Sequence, residues 1–380
     1  MKLVHLADLH LGKKVNEFSM IDDQEYILKE IINIIDDEKT DGVLVAGDVF
    51  DRPIPSEEAI KLWDDFLNAM AKRNIQVFAI SGNHDSAVRF AEHTSLMDST
   101  GIHLSPEYNG KTNKYQIEKQ GVKVNIYLLP FIKPIHVRHY FPDEDINNYT
   151  DACRVAIENM QVNKEELNIL IAHQFVTGAT RCDSEEISVG GLDNVDVTVF
   201  EDFDYVALGH IHGKQTIGRE TIRYSGTPLK YSFSEKNHVK SVTVIEIDSK
   251  KDISVREVIL TPRRDMAEIR GKCSDLIQGI SNENVDANDY LQVVLTDEND
   301  VPNAMSDLRR VYPNIMKLSY DNTRTREDRS LELNRDVEKK SPIDLFKEFY
   351  ENQNNQSLTD EQREFMEELI EEIWEGGDKE

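Results

Sequence analysis

Five short apolar runs in the first 212 residues each end in an aspartate, asparagine or histidine, and this repeated feature constrains the fold most strongly. The first three runs alternate with segments of helical periodicity, which predicts a β-α-β-α-β opening and an α/β fold. The polar residues at the five run ends are Asp8 and His10, then Asp48, then Asn83 to Asp85, then His173, and finally His210 and His212. Because ligands gather beyond the strand ends of open α/β sheets, we expect these side chains to meet at one site.

The convergent groups are imidazoles, carboxylates and one amide, which are ligands of divalent metals. In each of the pairs Asp8/His10 and His210/His212 the two residues are i and i+2, so both can point to the same side of a strand. Seven ligands are too many for one tetrahedral ion and suit two ions about 3.5–4 Å apart that share a bridging ligand. Asp48 stands alone after its strand and is the candidate bridge. The mixed nitrogen and oxygen set favours Mn²⁺, Fe²⁺ or Zn²⁺ over Mg²⁺.

The segment from Gly82 to Asp85 contains more polar groups than a tight turn requires. We interpret Asn83 as a ligand through its side-chain oxygen. We interpret His84 as a general acid that protonates the leaving alkoxide or hydrogen-bonds the phosphate. Asp85 is placed to hydrogen-bond an imidazole and fix its tautomer, or to cap a helix over residues 86–97, or both. Any one of these motifs also fits an ordinary turn or strand-end histidine, and only their repetition favours a metal site.

Composition and charge describe an acidic globular chain with a net charge of −27. Residues 341–380 alone contain 13 acidic and 3 basic residues, so part of this charge belongs to the C-terminal segment. The charge by itself argues against nucleic-acid binding. No run approaches the roughly 18 apolar residues of a membrane span, and no cleavable signal precedes the first strand, so we expect a cytoplasmic protein. The isolated cysteines Cys153, Cys182 and Cys273 exclude a disulfide framework and a thiolate zinc site.

The pattern along the chain predicts four segments. Residues 1–262 form the domain that carries the motifs, 263–322 a small α+β domain, 323–340 a charged linker, and 341–380 a helix-loop-helix. The two final helices have start signals at Ser341-Pro342 and at Thr359–Gln362. An apolar stripe from Phe365 to Trp374 fits packing on the protein's own core and a partner surface equally well.

The motifs D-x-H, G-D, G-N-H-D, a lone H and G-H-x-H, in this order, resemble the calcineurin-like metallophosphoesterase superfamily over residues 1–212. The resemblance implies a four-layer α-β-β-α sandwich of two mixed sheets. It implies one metal ion on Asp8, His10, Asp48 and His212, and a second on Asp48, Asn83, His173 and His210. The implied reaction is phosphodiester hydrolysis by a hydroxide between the two ions, with His84 as the general acid.

Four further segments, "VHLADLHLGK", "AHQFVTGA", "YSGTPLKYSFSE" and "TPRRDMAEIRG", are similar to those of the nuclease-subunit family of bacterial SbcCD complexes. This resemblance implies two Mn²⁺ ions, 3′→5′ exonuclease activity on duplex ends, and endonuclease activity on single strands and hairpins. It implies a role in double-strand break repair, recombination and replication at the nucleoid. The small domain would be a DNA-contacting cap. The C-terminal helices would dock on the coiled coil of an SbcC-like SMC-type ATPase, within a heterotetramer that contains a homodimer of this chain.

One position departs from the archaeal and eukaryotic relatives, which carry a histidine where this chain has Asp51. DNA contacts are expected from basic residues near the motifs, namely Lys13, Lys14, Arg52, Arg89, Lys133, His136, Arg138 and His139. The stripe from Ile60 to Met70 and the helix around Phe90 to Met97 are candidate homodimer contacts.

Two other functions fit the same residues. A small-nucleotide phosphodiesterase or phosphatase would use the same two-metal site, but it would not need the small domain or the C-terminal helices. A non-catalytic scaffold for the ATPase would not need the complete ligand set together with His84.

Overall fold

The computed structural model describes residues 1–91, 97–185, 193–250, 252–280, 285–323, 341–354, 357–359, 362–367 and 369–370. The strands are β1 (Lys2–Leu6), β2 (Lys14–Val15), β3 (Phe18–Ser19), β4 (Gly42–Ala46), β5 (Gln76–Ile80), β6 (Ile102–Leu104), β7 (Asn113–Lys119), β8 (Val122–Leu129), β9 (Leu167–His173), β10 (Phe175–Val176), β11 (Asn194–Val195), β12 (Tyr205–Gly209), β13 (Gln215–Ile217), β14 (Arg219–Tyr224), β15 (Ser241–Ser249), β16 (Asp252–Ile259), β17 (Met266–Gly271), β18 (Tyr290–Leu295) and β19 (Ile315–Tyr320). The helices are α1 (Ile21–Glu38), α2 (Glu57–Lys72), α3 (Ala87–Phe90), α4 (Pro134–Arg138), α5 (Tyr149–Glu158), α6 (Cys273–Ile277), α7 (Ala304–Leu308) and α8 (Pro342–Asn354). None of the helices described here has the length and apolar character needed to cross a bilayer.

Two six-stranded mixed sheets form the larger unit. The first has the order β16-β15-β1-β4-β5-β6 and the second the order β13-β14-β12-β9-β8-β7. In the first sheet β1, β4, β5 and β6 are parallel, and in the second β14, β12, β9 and β8 are parallel. Antiparallel strands extend both sheets at their sides. The parallel strands are continuous apolar runs because both of their faces are covered, and for this reason the sequence predicts β4 and β5 with their observed bounds.

The apolar side chains separate into three layers of core. One cluster fills the space between the two sheets and contains residues such as Leu44, Phe78 and Ile171. A second packs α1 and α2 on the outer face of the first sheet, and a third packs α4 and α5 on the outer face of the second. The predicted four-layer α-β-β-α sandwich is therefore confirmed.

Helix α2 shows how the local sequence produces one of the outer layers. The Ser56 hydroxyl accepts a hydrogen bond from the Ala59 N–H at 3.3 Å and caps the first turn. Trp63, Phe66 and Met70 then lie one helical turn apart and are buried against the sheet. Most of the stripe proposed as a dimer contact is therefore occupied by the protein's own core. The other candidate helix ends at Phe90, and residues 92–96 lie outside the described residues.

The small unit is a β-α-β-α-β arrangement in which β17, β18 and β19 are all parallel and alternate with α6 and α7. It differs in this respect from the expected α+β arrangement, because strand direction depends on pairing between segments that are distant in the chain. It has its own core around Ile269, Leu291 and Leu308. Met266 and Tyr290 instead join the core beneath α1, so the small unit packs directly on the larger one.

The start signals of the two C-terminal helices make the capping hydrogen bonds that the sequence predicts. The Ser341 hydroxyl accepts from the Asp344 N–H at 3.2 Å. Thr359 and Gln362 form a reciprocal capping box, with 3.0 and 3.3 Å between the paired atoms. Helix α8 continues to Asn354, so the loop is shorter than the predicted Asn352–Ser357. The linker from 324 to 340 and the end of the apolar stripe, from 371 onward, lie outside the described residues.

A buried histidine, His5, joins the two sheets through their shared core. Its Nδ1 lies 3.0 Å from the Tyr205 hydroxyl and its Nε2 lies 3.2 Å from the Leu208 carbonyl oxygen, both on β12. Burial, together with the nearby Arg223, lowers the pKa of His5 to about 3. The folded protein therefore keeps this ring neutral at pH values where the unfolded chain binds a proton.

We predict that His5 contributes to acid sensitivity. Below a pH of about 6.5 the unfolded state takes up a proton that the folded state excludes until about pH 3, so stability falls as pH falls. The contribution is up to about 1.4 kcal/mol per pH unit in that window. Chemical unfolding between pH 7 and 4, with metals chelated, should show a shallower loss of stability for His5→Gln than for the parent. The exposed His139→Gln is the control, and equal slopes for parent and His5→Gln would contradict the assignment.

Candidate metal centre

The five predicted strand ends lie together where the two sheets meet. In the second sheet Gly209 pairs with His173, so β12 and β9 end at the same level. The His173 Nδ1 donates to the Ala46 carbonyl of the first sheet at 2.8 Å, and the His210 N–H donates to Asp8 Oδ1 at 2.9 Å. The two sheets therefore contribute to a single site.

Asp8, His10 and His212 form one cluster of possible ligand atoms at this site. The Nε2 atoms of His10 and His212 are only 3.1 Å apart. Burial lowers the pKa of both imidazoles, that of His10 well below its usual value, so both rings favour the neutral form that binds metals. Two imidazole nitrogens bound to one ion at roughly 2.0–2.1 Å each would lie at about this separation.

Asn83, His173 and His210 form a second cluster. The Asn83 Oδ1 lies 3.0 Å from His173 Nε2 and 2.9 Å from His210 Nδ1. The His173 Nδ1 carries a proton that it donates to the Ala46 carbonyl, so in a neutral ring Nε2 is an acceptor. It then faces the Asn83 oxygen, which is also an acceptor. Only a charged ring can donate to both oxygens. Burial opposes that charge, but Asp48 and Asp8 raise the pKa of His173 to about 9. A positive charge is therefore favoured at this point.

Asp48 lies between the two clusters. Its Oδ2 is 3.7 Å from His10 Nε2 and 3.3 Å from His173 Nε2, while its Oδ1 accepts the His84 N–H at 2.9 Å. Burial would raise the pKa of Asp48, but His173 and the neighbouring histidines hold it well below its usual value. An ionised carboxylate that faces both clusters has the geometry of a bridging ligand.

A further observation supports the fit of these residues to a pair of divalent ions. The Asp8 Oδ2 is buried and has no hydrogen-bond partner among the described residues. Burial and the nearby Asp48 raise the pKa of Asp8 well above its usual value, although His173 opposes them. A buried carboxylate oxygen without a donor is costly unless a cation compensates it, and the surrounding imidazoles are suitable co-ligands.

The backbone at the site is strained in order to aim the ligands. Asp8, His10, Asp48 and His210 all have positive φ angles, of 53°, 45°, 48° and 97°. Such conformations persist where the surrounding structure imposes them, and they concentrate at functional sites. The glycines of the motifs allow neighbouring groups to lie close to the backbone. A Cβ at Gly82 would overlap the Asp48 carboxylate, and one at Gly209 would overlap the Ala46 carbonyl oxygen.

His84 lies at the rim of the site. Its ring is edge-on to that of His10, with 4.9 Å between centroids, and its Nδ1 is 3.1 Å from the Asp51 carbonyl oxygen. Since its ring is partly exposed, it lies between the buried ligands and the outside. His84 lies within reach of His10 and Asp48 as a possible ligand, and its role as general acid stays a prediction.

Among the described residues Asp85 has no imidazole partner, so the expected contact with a ligand histidine was wrong. Its two oxygens accept the backbone N–H groups of Val49, Phe50 and Gly82 at 2.8–3.1 Å. Burial and repulsion by Asp48 raise its pKa to about 6, against the effect of these three donors. Asp85 therefore connects the loop of Asp48 to the loop of Asn83. Its described hydrogen bonds all come from backbone N–H groups, which the sequence does not identify.

Sequence reasoning missed the residues that hold the histidines from behind. The His212 Nδ1 lies 2.7 Å from the Ser184 hydroxyl, which donates to Glu235 at 2.6 Å. Burial opposes ionisation of Glu235, but His212 and the nearby Lys240 lower its pKa to about 2. This chain fixes the Nδ1–H tautomer of His212 and leaves Nε2 for a ligand. Glu235 lies in the segment "YSGTPLKYSFSE", which is similar to the SbcCD nuclease-subunit family, but no sequence spacing connects it with His212.

With the geometry described, comparison with known proteins identifies the family. Residues 1–214 match the family model described as calcineurin-like phosphoesterase. The chain belongs to the calcineurin-like phosphoesterase family. Residues 262–354 match a second model, described as the Type 5 capsule protein repressor C-terminal domain. The D subunit of the nuclease SbcCD from Staphylococcus epidermidis is 33% identical over 382 residues, which cover 97% of this chain and 98% of that protein. Both resemblances stated from the sequence are therefore confirmed.

Two solved structures show weaker similarity. A dimetal phosphatase from Danio rerio has a TM-score of 0.39 and 10% identity, and the alignment covers 69% of this chain and 98% of that one. The protein TT1561 of Thermus thermophilus has a TM-score of 0.39 and 10% identity, with 67% and 98% covered.

We predict that Ser184→Ala weakens metal binding by about 10- to 100-fold, because it disconnects His212 from Glu235. A Mn²⁺ titration of the metal-free protein measures this effect. Ser234→Ala is the matched control, since the Ser234 hydroxyl accepts the Asp183 N–H at 3.1 Å and has no bond to His212. Unchanged affinity in Ser184→Ala would contradict the role of this hydroxyl.

Proposed function

We propose that this chain is a two-metal DNA nuclease that uses Mn²⁺, acting as a 3′→5′ exonuclease on duplex ends and as an endonuclease on single strands and hairpins. The observation that carries the proposal is Asp48 Oδ2, which faces His10 and His173 at once, beside the unpartnered Asp8 Oδ2. The staphylococcal relative, which is named as a nuclease, supports the substrate class, because its similarity extends over nearly the whole chain.

The proposed ligands are Asp8, His10, Asp48 and His212 for one ion, and Asp48, Asn83, His173 and His210 for the other. Bound there, two divalent ions would polarise the phosphate and supply a nucleophile from water at neutral pH. The chain's own contribution is to hold the scissile phosphate against this surface and to keep His84 beside it. The ring of His84, oriented by the Asp51 carbonyl, would deliver a proton to the leaving oxygen.

The acidic chain needs positive charge near the site to hold the phosphates of DNA. Two basic residues support such contacts. Lys13 lies at the rim, paired with Asp51 at 2.7 Å and positioned over the Tyr231 ring, and Arg52 is largely exposed beside it. We propose residues 1–262 as the nuclease domain and 263–322 as a cap that contacts DNA, with 323–340 as a linker to a docking element over 341–380.

We further propose an SbcC-like SMC-type ATPase as the partner, in a heterotetramer that contains a homodimer of this chain, acting at the nucleoid in DNA repair, recombination and replication. Phe365 supports the docking surface, because 63% of it is exposed on the last described helical segment. An exposed aromatic residue on an amphipathic helix is a common anchor for a partner.

The roles of two neighbouring residues can be separated by substitution. We predict that Asn83→Ala lowers the content of bound Mn²⁺, whereas His84→Gln keeps both ions and lowers the cleavage rate about 10²- to 10⁴-fold. Equilibrium dialysis with elemental analysis measures the metal, and single-turnover cleavage of end-labelled DNA measures the rate. If His84→Gln emptied the site, His84 would be a ligand and not the acid.

The function itself is tested with the purified full chain and Mn²⁺ on single-stranded, hairpin and duplex DNA, with bis-p-nitrophenyl phosphate in parallel. DNA cleavage that disappears in His84→Gln is the expected result. Hydrolysis of the small ester without cleavage of any DNA, even after addition of the ATPase, would overturn the nuclease and favour a small-nucleotide phosphodiesterase.

Docking on the ATPase gives a separate prediction. Phe365→Asp should weaken association with the coiled-coil base of the ATPase at least tenfold, because it places a charge in an apolar contact. Isothermal titration with the coiled-coil fragment measures this. Glu364→Gln is the neighbouring control, and equal affinities for parent and Phe365→Asp would refute the surface.

A further inference from the structure

Polar contacts join the small unit to the larger one, in addition to the apolar packing of Met266 and Tyr290 beneath α1. Asp23, in the first turn of α1, is fully buried and accepts two hydrogen bonds from Arg264, at 3.0 and 2.7 Å, and one from the Tyr290 hydroxyl at 2.6 Å. The Arg264 guanidinium also lies over the Tyr290 ring. A buried carboxylate with a bidentate arginine and a phenol is a strongly constrained contact.

Two lysines of the larger unit make the remaining ion pairs described at this interface. Lys230 pairs with Asp265 at 2.8 Å, and Lys236 pairs with Glu268 at 2.8 Å. A cavity of about 310 Å³ lies between these pairs, and residues of both units line it, among them Lys230, Lys236 and Arg264. The ion pairs therefore lie around a cavity, beside the apolar contacts that Met266 and Tyr290 make with the core beneath α1.

Each of the three residues of the larger unit has a direct neighbour that holds the metal centre. Gln24, next to Asp23, donates to the His10 carbonyl at 2.7 Å and accepts the Gly12 N–H at 2.9 Å. Tyr231, next to Lys230, donates to the Leu9 carbonyl at 2.6 Å and accepts from the Gln24 amide at 3.0 Å.

Glu235, next to Lys236, completes the set. Its carboxylate accepts from the Ser184 hydroxyl, which contacts His212. It also accepts the Tyr231 N–H at 3.3 Å, so the second and third segments are themselves connected. Thus one residue of each adjacent pair faces the small unit, and the other supports His10 or His212.

These connections reach one metal position and not the other. His10 and His212 belong to the cluster with Asp8. In the second cluster His173 is held by the Ala46 carbonyl and Asn83, and His210 lies parallel to the Phe131 ring, with 6.5 Å between centroids. Among the described residues, none of these supports contacts the small unit.

We propose that Gln24, Tyr231 and Glu235 are positioning residues that couple the docking of the small unit to the occupancy of the metal position formed by Asp8, His10 and His212. The inference rests on the proposed two-metal site. A shift of the small unit would pull on Asp23, Lys230 and Lys236, and through their neighbours it would move His10 and His212. Because coupling is reciprocal, metal binding at that position should also hold the small unit in place.

The test is a Mn²⁺ titration of the full chain. Binding is monitored by calorimetry and by electron paramagnetic resonance of free Mn²⁺. The parent should bind two ions. Arg264→Gln and Lys236→Gln, which cut separate connections, should each weaken one ion by about fivefold or more and leave the other within about twofold. Arg270→Gln is the matched control, because Arg270 pairs with Asp321 inside the small unit, and it should change neither ion.

The reciprocal effect is read by hydrogen exchange. Mn²⁺ should slow exchange of the Met266 and Tyr290 amides in the parent, and this protection should be lost in a Gln24→Ala/Tyr231→Phe double variant. Lys236 is partly exposed, so Lys236→Gln keeps the test valid if Arg264→Gln does not fold. Equal weakening of both ions, or of neither, would overturn the coupling. A parent that binds fewer than two ions would overturn the two-metal site and the coupling with it.

Discussion

The ionised carboxylate of Asp48, buried between two groups of imidazoles, is the interaction on which the rest of the structure depends. A charge in this position is unfavourable unless it is paired, and together with burial it raises the pKa of the nearby Asp8 well above its usual value. His173 compensates part of this charge, and bound cations would compensate the remainder. The strained backbone at four ligands and the crowded glycines become understandable as the cost of bringing these groups together.

That convergence depends on how the two sheets pack. Each sheet provides only part of the ligand set, and their ends coincide because the shared apolar core fixes one sheet against the other. His5, bonded across this core to Tyr205 and Leu208, belongs to the same interface although it has no role in the chemistry. A displacement of one sheet would separate Asp48 from His173. The geometry of the site therefore depends on the packing of the shared core.

The small unit adds a level of organisation that a minimal phosphoesterase site does not require. Its strands contribute none of the proposed ligands, yet its ion pairs fall on residues whose immediate neighbours support His10 and His212. One planar peptide unit joins each such pair, so a displacement of one residue is transmitted to its neighbour. In the proposed nuclease, movement of the small unit would then change metal occupancy.

The sequence by itself determined the α/β class, the bounds of β4 and β5 and the seven candidate ligands, because burial on both faces and ligand chemistry both leave local signatures. The helix caps at Ser56, Ser341 and Thr359 are local for the same reason. Tertiary structure alone decided that Asp85 binds backbone N–H groups, that Ser184 and Glu235 support His212, and that the small sheet is parallel. These contacts join residues far apart in the chain, and a backbone N–H carries no residue-specific signal. Only the packing of the two sheets and the small unit brings such groups within hydrogen-bonding distance.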